Sequence, residues 1–184
     1  MVRIGGMRKL VMDLLDLTRL ESGKKKRVLE KVDLRKAAAL AAEAVAERAA
    51  ARGIKVELKL QPQALLNADA GEMEMILSNL LTNAVKYNKQ DGRVTLEISN
   101  PTSDSALIRC SDTGIGMTAE EQAKLFGEFV RIKNEHTRAI DGSGLGLSIL
   151  KKIAGLYGGN VKVSSTYGEG SVFEVTLKEP PAAV

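Results

Sequence analysis

Apolar positions recur along this chain with two periods, and the changes from one to the other divide it into elements. In "MRKLVMDLLDLTRLES", Met7, Leu10, Leu14 and Leu17 fall at helical spacing, and Val11 and Leu20 widen the stripe. A helix with that much apolar surface needs a partner. Gly23 to Lys31 turns polar and basic and reads as a linker. Val32 to Gly53 is Ala-rich, with high helix propensity, and Gly53 is a natural C-terminal stop. "IKVELKL", Ile54 to Leu60, alternates strictly and predicts a half-buried strand. After a short polar segment, Gly71 to Asn88 returns to the helical period, with Asp69 placed to cap it.

The second half alternates more. "GRVTLEISN" and "ALIRCSD" read as strands joined by a turn around Pro101 to Asp104. Thr113 to Ser143 holds only one short helix candidate, "TAEEQAKLF". An irregular stretch of about thirty residues is unusual in a compact domain and signals a lid or binding loop. Gly144 to Tyr157 is helical again, and "NVKVSS" and "SVFEVTL" close the chain as a hairpin around "TYGEG". This order predicts an α/β (α+β) fold, a two-layer sandwich with helices on one face of a mixed sheet, preceded by one N-terminal helix.

Composition narrows the chemistry. The 184 residues, 44% of them hydrophobic, suffice for one domain and an appendage. The net charge of +4 is mild, and with aromatics at 3% the positives lack the interleaved rings of a nucleic-acid platform, so no nucleic-acid partner is expected. "KKKR", Lys24 to Arg27, reads as a solvated loop. One cysteine, Cys110, and one histidine, His136, exclude an internal disulfide and make a poor zinc set. No apolar run spans a bilayer and no signal-peptide pattern is present, so a cytoplasmic segment without membrane contact is expected, whose parent can still be membrane-anchored.

Three stretches carry candidate chemistry. Asn79, Asn83 and Lys86 stand at i, i+4 and i+7 beside the core stripe of their helix. Such a row is costly if buried without partners, but an amide oxygen suits Mg²⁺ and an ammonium suits a phosphate. In isolation it reads rather as a solvent-facing stripe. "DTGIGM" places Asp112 at a strand end, where a carboxylate can accept from an adenine amino group and the glycines leave room for a ring; alone, it also fits an Asx turn. "DGSGLGLS", Asp141 to Ser148, puts glycines at the head of a helix, where unpaired N–H groups and the macrodipole favour a phosphate. No P-loop, dinucleotide fingerprint or eukaryotic-type kinase set is present.

In order and spacing these stretches resemble the ATP-binding domain of two-component sensor histidine kinases, part of the ATPase superfamily shared with gyrase, Hsp90 and MutL. "NLLTNAVKYN" looks like the asparagine box, "DTGIGM" and "GSGLGLSI" the two glycine boxes, "LFGEFVR" the phenylalanine box, and "GEGSVFEV" the final turn and strand. "DLLDLTRLESG" is similar to the end of the dimerisation and phosphotransfer hairpin. The resemblance implies residues 1–31 as hairpin end and linker, and 32–184 as an ATP-binding domain with a lid at about 113–143. It implies ATP and Mg²⁺ as ligands, with Asn83 on the metal and Asn79, Lys86 and Tyr87 along the phosphates and ribose. Asp112 would take the adenine amino group in a pocket shaped by Gly114 and Gly116, with Ser171 helping through water. Gly142, Gly144 and Gly146 with Leu145 and Leu147 would form the lid hinge and the helix start facing the phosphates. Arg131 would approach the γ-phosphate, and Phe126 and Phe129 would anchor the lid to the body or to the phosphotransfer helices. Implied partners are the parent's phosphoacceptor helix, a response-regulator receiver domain and, in the parent, a second copy in a homodimer.

Two departures matter. No H-E-x-x-T-P-like motif is present, and His136 in "NEHTRAI" falls inside the lid. ATP-hydrolysing relatives carry Glu where Asn79 stands, and an amide cannot take a proton from water, which favours transfer to an outside histidine over hydrolysis. A nucleotide-dependent binding module and an anti-sigma-type serine kinase remain alternatives on the same boxes.

Overall fold

The computed structural model describes residues 2–22, 27–132, 137 and 142–180. Helix α1 (Val2–Glu21) is followed by strand β1 (Glu30–Asp33) and helix α2 (Leu34–Ala50). Next come β2 (Lys55–Leu60), β3 (Leu65–Ala68), α3 (Ala70–Lys86), β4 (Arg93–Ser99) and β5 (Ser105–Asp112). The chain closes with α4 (Ala119–Lys124), α5 (Gly146–Leu156), β6 (Asn160–Thr166) and β7 (Gly170–Lys178). Asp33 and Asp69 cap α2 and α3 by accepting from the N–H groups of Arg35 and Glu72. Thr118 and Glu121 form a full capping box on α4.

Two elements depart from the pattern. The small antiparallel sheet of β1 and β3 occupies the end of the stretch read as a linker and part of the polar segment before α3. Four residues each are too few to show a period, yet Val32, Leu66 and Ala68 are buried there. The main sheet has the order β2-β4-β5-β7-β6, with β2 and β4 parallel and the other pairs antiparallel, so it is mixed as expected.

One face of that sheet supplies the core. Val94, Leu96 and Ile98 of β4, Ile108 and Cys110 of β5, and Val175 and Leu177 of β7 are buried beneath the helices. Helix α2 lies over β2, α3 over β4 and β5, and α5 over β6 and β7. The opposite face is charged. In register across all five strands stand Lys59, Glu97, Arg109, Glu174 and Lys162. Neighbours in this row pair at 3.6 to 4.0 Å from Lys59 to Glu174. At such exposure each pair contributes about 0–1 kcal/mol.

Helix α1 packs on α5 through Leu17, which is buried, while Met7, Leu10, Val11 and Leu14 of its apolar stripe stay exposed. Among the described residues no helix is long and apolar enough to cross a membrane.

Candidate nucleotide site

The third helix is amphipathic with a strong apolar face: Ile76, Leu77, Leu80, Leu81 and Ala84 are buried. The next stripe carries Asn79, Asn83 and Lys86 into a cleft of about 1040 Å³, its open mouth included. Across the cleft stand Gly142, Gly144 and Gly146, and its inner end holds Asp112, Gly116 and Ser171. Tyr87, Arg131 and Leu147 complete the sequence-predicted set that lines it. Gly114 and Leu145 do not. Leu145 is fully buried in the core, and Gly114 stands behind Asp112, its N–H donating to Asp112 Oδ1 at 2.8 Å.

Close approach explains the glycines. A Cβ on Gly146 would lie 2.4 Å from Asn79 Oδ1, and one on Gly142 would lie 2.5 Å from Lys86 Nζ. The turn before α5 thus rests directly on the polar stripe of α3. At Gly116 both φ (+63°) and space require glycine, because a Cβ would meet the Thr166 carbonyl oxygen at 1.9 Å. Asn79 Nδ2 donates to the Met75 carbonyl at 2.9 Å, which turns its oxygen toward Gly146. No side-chain cap closes the first turn of α5, so its N–H groups keep the character of an anion site.

The electrostatics are divided. Lys86 Nζ lies over the Tyr87 ring, 4.9 Å from its centroid. Burial raises the Tyr87 phenol above its ordinary value, opposed by the positive charge of Arg131. At the other end, burial pushes the Asp112 carboxyl up to about 6, opposed by the backbone N–H groups of Gly114 and Ser171. The backbone of Ser171 therefore acts on Asp112 directly, while its hydroxyl pairs with that of Ser165 at 2.9 Å. Apolar walls surround Asp112: Ile115, Met117, Leu125 and Phe173 line the same cleft.

Several contributors carry no sequence signal. Arg52, just past the end of α2, donates to the carbonyls of Val85, Lys86 and Asn88 and so caps the site end of α3. Thr82 joins Asn79 and Asn83 on the cleft wall, legible only once the stripe is known to face a ligand. Ser143 lines the cleft and donates its hydroxyl to Asp13 of α1. Phe126 packs partly against the core. The Phe129 ring is 57% exposed at φ 58°, and it is the Phe129 backbone that meets Gly144. His136 and Asp141 lie outside the described residues.

A cleft opened between two helices on one face of a mixed sheet, polar toward one end and apolar around a carboxylate at the other, suits a nucleotide. Comparison with known proteins agrees. The family model described as "Histidine kinase-, DNA gyrase B-, and HSP90-like ATPase" matches residues 68–181, and the chain belongs to that family. More particularly, it carries the ATP-binding catalytic domain of histidine kinases. It is 36% identical over 174 residues to the circadian input-output histidine kinase CikA of Synechococcus elongatus, covering 93% of this chain and 23% of that one. It is 34% identical over 169 residues to a sensor-like histidine kinase of Rhizobium meliloti, covering 91% of this chain and 32% of that one. The chain therefore spans a third or less of these relatives. The crystal structure of full-length ShkA in complex with AMPPNP superposes with a TM-score of 0.81 at 30% identity, covering 99% of this chain and 38% of that one.

Proposed function

We propose that this domain binds Mg-ATP and delivers the γ-phosphoryl group to a histidine on a phosphotransfer helix, from which a response-regulator receiver domain takes it. The observation that carries this reading is the meeting of Asn79, Asn83 and Lys86 with the Gly142 to Gly146 turn across one cleft. Asp112 accepts from the adenine amino group among apolar walls, and Lys86 and the first turn of α5 face the phosphates. Arg131 neutralises the γ-phosphate end. With an amide at position 79, no group there takes a proton from water, and the γ-phosphoryl awaits an outside nucleophile.

The residues fit Mg²⁺. Among the described residues no group of three His, Cys, Asp or Glu could hold a metal by itself. Mg²⁺ needs few protein ligands when phosphates and waters supply the rest, so the Asn83 amide oxygen suffices. When bound, the ion neutralises phosphate charge. Residues 1–31 are the hairpin end and linker, 32–184 the ATP-binding domain, and about 113–143 its lid; the exposed stripe of α1 pairs with hairpin helices in a homodimeric, cytoplasmically facing parent.

The test supplies γ-labelled ATP to this chain with and without the parent's hairpin. Alone, the chain should not label itself. With the hairpin, an acid-labile, base-stable phosphohistidine should form there, and Asn83→Ala should abolish it. Labelling of His136 in the isolated chain, or transfer only to serine, would overturn the reading.

A further inference from the structure

Arg27 lies outside the nucleotide cleft, yet its guanidinium is among the most heavily bonded of the described residues. Its Nε lies 3.0 Å from both carboxylate oxygens of Glu72, and its Nη2 lies 2.9 Å from Oε2. Glu72, in the first turn of α3, is fully buried. The Tyr157 hydroxyl, at the C-cap of α5, donates to Glu72 Oε2 at 2.6 Å and accepts from the Asp69 N–H at 2.9 Å. The Arg27 guanidinium also stacks on the Tyr157 ring, 4.5 Å from its centroid. Val28 N–H donates to Asp69 Oδ2 at 3.2 Å. A buried carboxylate of this kind is tolerable only while its partners remain, so the network holds as a unit.

Its position gives it leverage. The start of α3 meets the end of α5 at this network, and the start of α5 meets the middle of α3 at the cleft, where Gly146 abuts Asn79. Helix α1 follows α5 along its length. Asp13 pairs with Ser143 just before α5 and Glu21 with Lys152 within it, while Arg27, which follows the end of α1 in sequence, stacks on Tyr157 at the end of α5.

We propose that Arg27 is a positioning residue for phosphoryl transfer: its clasp on Glu72 and Tyr157 sets where α1 lies relative to the nucleotide cleft. Any phosphoacceptor helix packed on α1 is thereby presented at a fixed place. The inference rests on the transfer reading above. Arg27 touches no substrate; it ties the chain that follows α1 to α3 and to the end of α5.

The test places spin labels at Met12→Cys on α1 and Leu40→Cys on α2, both exposed, with the buried Cys110 left in place. Double electron–electron resonance should give one narrow distance distribution in this background. Arg27→Met/Glu72→Gln removes both charges together and so leaves no orphaned carboxylate; circular dichroism checks that the body stays folded. In this variant the distribution should broaden while the Mg-ATP Kd stays within about threefold. Arg27→Lys keeps the charge but not the fork, and should broaden it too. An unchanged narrow distribution in either folded variant overturns the clasp. Failure of the unsubstituted chain to bind Mg-ATP would instead overturn the transfer reading and leave the distances to judge Arg27 by themselves.

Discussion

Asp112→Asn should make the nucleotide-free protein more stable while weakening its hold on ATP. The folded environment raises the Asp112 carboxyl from its ordinary value of 3.8 to about 6, chiefly through burial. That difference, at ~1.4 kcal/mol per pH unit, amounts to about 3 kcal/mol of destabilisation once the group is ionised in both states. The donors from Gly114 and Ser171 are already included in it. Because the folded carboxyl holds its proton more tightly than the unfolded one, stability falls as pH rises from the ordinary value toward 6 and is level above. Asn retains an oxygen for the Gly114 N–H and has no charge to desolvate. Urea titrations followed by circular dichroism should show parent and variant nearly equal at pH ~3, apart by about 1 kcal/mol at pH ~4.5, and the variant ahead by up to about 3 kcal/mol at pH ~7.5. Calorimetry should show the variant losing ATP affinity, since its amide competes poorly as an acceptor for the adenine amino group. A stability gap that does not widen with pH would refute the desolvation argument, and a variant that binds ATP as the parent does would remove Asp112 from the adenine site.

Other substitutions test the remaining supports. Gly146→Ala would ordinarily favour a helix by about 1 kcal/mol, but here the new methyl must displace the Asn79 amide; the melting temperature should hold while ATP binding falls, and unchanged binding would show that the contact is dispensable. Arg52→Met strips a donor from the carbonyls of Val85, Lys86 and Asn88 and should cost about 1–3 kcal/mol in urea; a neutral result would mean that water replaces the guanidinium. Tyr157→Phe leaves the Asp69 N–H and a buried Glu72 oxygen each short of a partner, with an expected loss of about 1–3 kcal/mol by the same assay.

What could be read in advance followed the periodicity. Helices α2, α3 and α5 announce themselves because each buries a continuous stripe, and Asp69 stands where a cap belongs. The site stripe Asn79, Asn83 and Lys86 follows from the same period, since fixing the core face fixes the neighbouring one. Strands β1 and β3 were hidden by their shortness. Arg52, Arg27, Glu72 and Tyr157 were hidden for another reason: their partners stand 33 to 130 positions apart, and no local pattern encodes such meetings.

The charged row across the bare face of the sheet has a symmetry of its own. Lys59, Glu97, Arg109, Glu174 and Lys162 read plus, minus, plus, minus, plus from either edge, so the row is a palindrome. Two copies stacked face to face about a two-fold axis centred on it, whether along the strands or across them, would set every charge opposite its own sign. Opposite signs meet only if one copy slides by a strand, about 4.8 Å, which leaves an end charge of each row unmatched. A repeating charge pattern that looks the same from both ends therefore turns like charges toward each other in any two-fold pairing centred on this row.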